Sequence, residues 1–308
     1  MTIQDALLGY WLERRRNVSE ATVSDYTNTF SRFVAWLPAD IQIEAITADH
    51  IRRFLDAMQR QRNLCGKTLA NYWTALSSLW TWAEAELNLP HIIRHRVACP
   101  EYHRKEIMPY TRHEITAMLE ATGQNSAWRS RGGRQVRSVR PEALRDRAIL
   151  LTLLDSGIRA SELCALCIEH HDQRTGQLHI KKGKGNKGRY VYLGDSSRKA
   201  IWRYLASRAG VQPGDPLFAT KTGGHIERSS LGNMIEATAK RAGVANPTIH
   251  KFRHTFAINF LRNGGNVLEL QQMLGHEKLD TVRIYASLAQ IDLEHAQRRA
   301  SPADNWRL

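Results

Sequence analysis

The stretch from residue 248 to residue 288 limits the possible folds most, because its apolar pattern is helical and is broken twice. Apolar residues recur at three- and four-residue steps before the Asn-Gly-Gly-Asn break at 263–266, and again over 267–274. Asp280 is a good N-cap for a third helix, which carries Tyr285 about one turn further on. The stretch therefore predicts three short helices, with the third able to fold back toward the first.

Four polar residues stand at set positions on these helices. His250 and Arg253 are three residues apart, so they project from one helical face. His276 directly follows Gly275, a residue suited to a helix end, and Tyr285 lies nine residues further on. Attack on a phosphodiester needs guanidinium donors on its non-bridging oxygens, hydrogen bonds for the developing charge and a nucleophile in line. Arginine, histidine and tyrosine supply all three.

This arrangement resembles the closing motif of the tyrosine recombinases, the phage integrase family, which includes the Xer-type recombinases of bacteria. The matching strings are HKFRH, then LGH with 23 positions from Arg253 to His276, then IY at Tyr285. Taken one at a time, such residues are more often structural. The four together, at these intervals, favour a DNA-cutting site over a plain helical core.

A second motif, SGIRASEL, places Arg159 and Glu162 three residues apart, just after a predicted buried helix that ends before Gly157. It resembles the first box of the same family, usually T-G-x-R-x-x-E-L, except that Ser156 replaces threonine. The resemblance implies that Arg159 binds phosphate and that Glu162 holds the cations of the site in position. The structural alternative is a surface ion pair at a helix start.

A third motif, GKGNKG, lies between two alternating segments, residues 177–182 and 189–193. Gly and Asn supply the positive φ angles of a tight turn, so a β-hairpin is predicted. A phosphate-binding P-loop is not indicated, because the GxxxxGK[ST] order is absent. The hairpin resembles the Xer-type one, whose lysine enters the minor groove as general acid. Lys184 is the matching residue, and three neighbours remain rivals: Lys181, Lys182 and Lys187.

Residues 1–88 read as four amphipathic helices, at 3–16, at 20–37, from Thr47 onward and at 67–87. Residues 89–108, which include two prolines, read as a linker, and residues 109–308 as a second domain. The resemblance implies a mainly α fold with a small β-hairpin. A helical, SAM-like core-binding domain that clamps DNA would precede an α+β catalytic domain with a C-terminal tail helix.

An excess of 44 Lys and Arg over 30 Asp and Glu gives a net charge of +14, which indicates a polyanionic partner. Basic residues on the helices, linker and hairpin either grip DNA phosphates or form a solvated face. A basic, aperiodic loop over 124–140 has the same two interpretations. The DNA-contact candidates are Arg52, Arg53, Lys67, Arg104, Lys105, Lys182, Lys187 and Arg189.

The sequence does not indicate a metal site, disulfide bonds or a membrane-spanning segment. Cys164 and Cys167 form a C-x-x-C beside two histidines, but no second ligand pair follows, so reduced thiols are favoured over a zinc site. No apolar run approaches the ~20 residues that cross a bilayer, and the N-terminus lacks the order of a signal peptide. We expect a protein of the cytoplasm, associated with the nucleoid.

The resemblance implies a site-specific recombinase in which Tyr285 attacks the scissile phosphate and forms a 3′-phosphotyrosyl link. Arg159 and Arg253 would bind the non-bridging oxygens, His276 would donate a further hydrogen bond, and His250 would accept the tyrosine proton.

Lys184 would protonate the leaving oxygen in this scheme, and no cofactor, ATP or metal ion would be needed. The partner would be double-stranded DNA, bound by a homo-tetramer or by a hetero-tetramer with a paralogue. Two alternatives stay open: a type IB topoisomerase-like enzyme without site preference, and a non-catalytic DNA-binding regulator on the same scaffold.

Overall fold

The computed structural model describes residues 1–102, 108–123, 128–129, 135–136, 140–181, 188–275, 284–285, 297 and 301–306. The chain is mainly helical, with two small pairs of antiparallel strands among these residues. It divides into two compact units, Met1–Glu106 and Ile107–Leu308. The predicted fold class is confirmed.

The first unit is a helical bundle. Its helices in residues 1–102 are α1 (Ile3–Arg14), α2 (Glu20–Trp36), α3 (Ala48–Arg62) and α4 (Gly66–Glu86), with 3-10 turns at Arg15–Asn17 and Ile43–Ala45.

Aromatic side chains fill the core of this bundle, as their helical spacing predicts. Phe33 and Phe54 pack edge to face, with ring centroids 5.0 Å apart, and Trp80 packs on Phe33. Ile92, Ile93 and Val97 are also buried in this core, although the sequence places them in the linker. The first part of the predicted linker therefore packs on the first unit.

The second unit holds the remaining helices around a separate core. Its strands and its helices of five or more residues are α5 (Arg112–Ala121), β1 (Trp128–Arg129), β2 (Gln135–Val136), α6 (Ala143–Ser156), α7 (Ala160–Cys164), β3 (Gln177–Ile180), β4 (Arg189–Tyr192), α8 (Asp195–Ala206), α9 (Arg228–Ala242), α10 (Ile249–Arg262), α11 (Val267–Leu274) and α12 (Pro302–Trp306).

Helix α6 lies at the centre of this unit and packs against α8 and α10, whereas α5 packs against α9. Strands β3 and β4 pair antiparallel, from Gln177 opposite Tyr192 to Ile180 opposite Arg189. Leu178 and Ile180 are buried in the core, as the period of two along a strand requires. The predicted hairpin is present, and its loop, residues 182–187, lies outside the described residues.

Two local expectations differ from the structure. The apolar pair at residues 217–218, between two predicted helices, suggests a short strand, but none forms. Both side chains are buried, and only single bridges pair the flanking residues, Pro216 with Cys167 and Ala219 with His225. The segment 124–140 is not wholly irregular, since β1 pairs with β2 within it. Burial of two consecutive apolar residues does not require a strand, and a basic composition does not exclude one.

Within the described ranges, no helix is long and apolar enough to cross a membrane. The same ranges contain no group of three or more side chains that could hold a metal ion. Cys65, Cys99, Cys164 and Cys167 are free thiols.

Candidate active site

Three arginines converge on the C-terminal end of α11. The last carbonyls of a helix have no partner within it and lie at the negative end of its dipole, so cations stabilise them. Arg189 Nε donates to the carbonyl of residue 273 at 2.6 Å, and Arg253 Nη2 to that of residue 274 at 2.7 Å. Arg159 Nη2 donates to that of residue 275 at 3.4 Å. The C-terminal end of α11 is therefore contacted by arginine side chains from three distant parts of the chain.

Two glycines allow this convergence. Gly157 ends α6 with φ +60°, and a Cβ there would lie 2.3 Å from Phe256, so a larger residue would push α6 and α10 apart. Its carbonyl accepts a hydrogen bond from Arg253 Nη1 at 2.7 Å. Gly275 ends α11 with φ +63°. Both glycines therefore close a helix and present a carbonyl to an arginine of the site.

Glu162 holds two of the arginines together. Its carboxylate accepts two hydrogen bonds from Arg189, each 2.8 Å, one from Arg159 Nη1 at 3.0 Å and one from the Arg159 backbone amide at 2.8 Å. Burial raises the pKa of Glu162. Hydrogen bonds from Arg189 and from the Arg159 amide, together with the charges of both arginines, have the larger effect and lower this pKa to about 2. The group is therefore an anion throughout the physiological pH range.

Arg253 is the most buried of the three arginines, with 2% of its surface exposed. Burial, followed by the charge of Arg159, lowers its pKa to about 10. It remains a cation at neutral pH, close to the positive charge of Arg159. A phosphate brought to this place would be attracted by both charges.

Tyr285 lies beside this cluster, and its hydroxyl is 2.9 Å from Nδ1 of His254. The side chain is 3% exposed, and burial raises its pKa, although Arg253 lowers it. Burial, then the neighbouring His250 and Arg253, lowers the pKa of His254 to about 4. At neutral pH the ring is therefore neutral, and in the tautomer with its proton on Nε2, Nδ1 accepts the hydrogen bond that the tyrosine donates.

The histidine at the hydroxyl in this structure is thus His254, whereas the sequence predicts His250 as the acceptor. His250 instead packs edge-on against the ring of His254, with centroids 4.3 Å apart. No hydrogen bond joins His250 to Tyr285, both of which the structure describes. The two histidines are four residues apart on α10, so they share one face, and this spacing could have pointed to His254.

The structure brings together Arg159, Glu162, Arg253 and Tyr285, as the family resemblance implies, and it places His250 next to them. The pKa of His250 is lowered, first by burial and then by the charges of three arginines, which include Arg253 and Arg159. Two predicted catalytic residues, Lys184 and His276, lie outside the described residues.

The DNA-contact candidates divide into three groups. On the first unit, Arg52 donates to the Arg96 carbonyl at 2.6 Å and exposed Arg53 pairs with Asp49, so both side chains already have partners. Lys67 donates to the Tyr102 hydroxyl at 3.1 Å. Four candidates lie outside the described residues: Arg104, Lys105, Lys182 and Lys187.

Arg189 differs from its predicted role. Its side chain is only 11% exposed, and its guanidinium group is bound to Glu162 and to the end of α11. A contact with a DNA phosphate would require the loss of these charge-assisted bonds. Arg189 therefore belongs to the arginine cluster rather than to an open DNA-facing surface.

Comparisons with known proteins agree with this architecture. The profile of the phage integrase family matches residues 112–291, and that of the phage integrase N-terminal SAM-like domain matches residues 9–87. The tyrosine recombinase XerC of Pelobacter propionicus is 30% identical over 301 residues, which cover 94% of this chain and 92% of that protein. The XerC of Thermodesulfovibrio yellowstonii is 36% identical over 159 residues, 49% of this chain and 52% of its own.

Two solved structures show the same fold at low sequence identity. The Tn1549 transposon integrase in complex with a circular intermediate DNA has a TM-score of 0.75 and 17% identity, covering 92% of this chain and 95% of that one. A lambda integrase dimer bound to a core site has a TM-score of 0.72 and 15% identity, covering 92% and 77%. The fold and the site define a class of proteins in which one tyrosine lies next to two or more arginines. The chain belongs to the phage integrase family.

Proposed function

We propose that the protein is a site-specific recombinase that cuts and rejoins double-stranded DNA through a 3′-phosphotyrosyl intermediate. The observation that carries this proposal is the position of the Tyr285 hydroxyl beside the cluster of Arg159, Arg189 and Arg253. A phosphodiester is the anion that such a cluster fits, because two planar guanidinium groups can each contact its non-bridging oxygens.

Cleavage would begin when a DNA phosphate reaches Arg159 and Arg253. Because Tyr285 is 3% exposed, DNA binding must first uncover its hydroxyl. The Tyr285 oxygen then forms a bond to phosphorus as the bond from phosphorus to the 5′-oxygen breaks. Religation by a 5′-hydroxyl reverses these steps, so the energy of the phosphodiester is kept in the covalent intermediate.

The proton of Tyr285 would pass to Nδ1 of His254, which already accepts its hydrogen bond. The charge of the arriving phosphate raises the pKa of a nearby histidine, so the ring becomes a better acceptor when the substrate is bound. The leaving 5′-oxygen takes a proton from the hairpin lysine, for which Lys184 remains the candidate. His276 remains the candidate for a further hydrogen bond to the phosphate.

The active form would be a tetramer on DNA, because two duplexes must each be cut and joined. A lambda integrase of the same fold has been solved as a tetramer bound to a Holliday junction. We propose a homo-tetramer, with a hetero-tetramer containing a paralogue as the second arrangement, acting on the DNA of the cytoplasmic nucleoid. Neither a topoisomerase-like enzyme nor a non-catalytic regulator is favoured by a specific observation.

Selection of the DNA site followed by trapping of the covalent adduct tests this function. Double-stranded random DNA is enriched for binding to the protein, and nicked duplexes are then built from the enriched sequence. We expect a covalent protein–DNA adduct and a free 5′-hydroxyl end on this sequence alone. Equal adduct on scrambled duplexes would indicate a topoisomerase-like enzyme, and binding without any adduct would indicate a regulator.

Replacement of His254 tests the proton acceptor. His254→Leu removes the acceptor at the tyrosine hydroxyl, so we expect single-turnover cleavage to slow on the order of 10²-fold, as for loss of a general base. His254→Asn, whose side-chain oxygen can still accept a hydrogen bond, should show a smaller decrease in the cleavage rate. The control is His225→Asn, since His225 forms a comparable contact through Nδ1, 2.8 Å from the Cys164 carbonyl. An unchanged rate in His254→Leu would contradict the assignment.

A further inference from the structure

Arg189 is not among the residues that would touch the phosphate, yet it makes three short contacts within the arginine cluster. Three of its donors are used: two bind the two oxygens of Glu162 at 2.8 Å, and Nε binds the residue 273 carbonyl at 2.6 Å. It is the first residue of β4 and is 11% exposed. Arg159, in contrast, shares one oxygen of Glu162 and is 42% exposed.

We propose that Arg189 is a positioning residue that occupies the Glu162 carboxylate, so that Arg159 stays available to the DNA phosphate. This inference rests on the proposed function. A carboxylate and a phosphate compete for the same guanidinium group, because both accept paired hydrogen bonds from it. With both oxygens of Glu162 bound by Arg189, the carboxylate orients Arg159 without neutralising it.

The charges of the cluster support this role. Arg159, Arg189 and Arg253 carry three positive charges, and Glu162 carries one negative charge. Without Arg189, the buried carboxylate would have Arg159 as its remaining side-chain cation among the described contacts. It would then draw Arg159 into a closed ion pair and would repel the incoming phosphate. Loss of Arg189 should therefore harm the site chiefly through the charge that it leaves uncompensated on Glu162.

A double-mutant cycle between the two residues tests this role. We expect Arg189→Met to slow single-turnover cleavage of the selected duplex on the order of 10²-fold, because the uncompensated carboxylate withdraws Arg159, and loss of one anion-stabilising donor has about this effect. Glu162→Gln should lose less, because Gln keeps the shape but not the charge. The double variant should cleave about tenfold faster than Arg189→Met alone, since the uncompensated carboxylate is gone.

Further measurements separate this role from a merely structural one. The equilibrium affinity for the duplex should change little in Arg189→Met, because in this proposal Arg189 does not contact the DNA, so the loss should appear in the rate at saturating DNA. Arg189→Lys keeps the charge and should recover part of the cleavage rate. If Arg189→Met does not fold, Arg189→Lys takes its place as the test variant. The matched control is Arg198→Met, which removes another arginine, bonded to Asp195 and to the Gln173 carbonyl, and should cleave normally.

If the rate reductions of the two single variants multiplied in the double variant, the inference would be overturned, because Arg189 would then act independently of Glu162. An unchanged rate in Arg189→Met would overturn it as well. Failure of the proposed function would look different: wild-type protein would form no adduct, or an adduct would form without the hydroxyl of Tyr285.

Discussion

Tyr285→Phe should abolish the covalent adduct and leave binding of the selected DNA site within about twofold of wild type. The substitution removes only the nucleophilic oxygen, and loss of a nucleophile costs on the order of 10⁶-fold in a well-studied enzyme. Binding should persist because the hydroxyl is buried against His254 and faces no solvent. The measurement is adduct yield on the nicked duplex beside a binding titration of the intact one.

The controls for this variant are Tyr190→Phe and Tyr192→Phe. Both tyrosines lie on β4 and are more than half exposed, so each offers a hydroxyl that DNA could reach. The Tyr190 ring stacks on His179, and the Tyr192 hydroxyl accepts a hydrogen bond from Gln177 at 3.0 Å, so we expect both variants to form the adduct at the wild-type rate. Adduct formation by Tyr285→Phe, or its loss in one of the controls, would place the nucleophile elsewhere.

Arg253→Lys should reduce cleavage on the order of 10³-fold, the upper range for loss of a preorganised anion-binding donor. The Arg253 guanidinium donates to two carbonyls, each at 2.7 Å, and a lysine ammonium cannot span both and also meet a phosphate. One buried carbonyl is then left without a donor, which costs about 1–3 kcal/mol of folding stability. Single-turnover cleavage and thermal unfolding measure the two effects.

Arg241→Lys is the matched control for this substitution. Arg241 lies at the end of α9 and donates to the Ala121 carbonyl at 3.1 Å, so it is a structural arginine with no contact to Tyr285 or Glu162. We expect it to lower stability without lowering the cleavage rate of the folded protein. Equal rates in the Arg253 and Arg241 variants would contradict a role for Arg253 in phosphate binding.

Features fixed by local chemistry could be predicted from the sequence. Ser19 caps α2, and Thr111 forms a capping box with Glu114 at the start of α5, because such caps depend on residues only three apart. Strands β3 and β4 were predicted because alternation and turn residues are equally local. The fold class is implied by the family resemblance, and these local elements agree with it.

Contacts between distant segments could not be predicted in the same way. Arg189 lies 27 positions from Glu162 and 84 from the carbonyl that it binds, so nothing in its neighbourhood indicates a buried partner. Its basic neighbours suggested a DNA contact instead. His254 shares a face of α10 with His250, but its hydrogen bond depends on where the chain brings Tyr285, 31 positions away.

Mapping of the DNA-linked residue tests the central claim most directly. The adduct formed on the nicked duplex is digested with protease and nuclease, and the peptide that retains a nucleotide is sequenced by mass spectrometry. The account predicts a 3′-phosphate joined to Tyr285. A nucleotide on Tyr190, Tyr192 or any residue other than Tyr285 would contradict it.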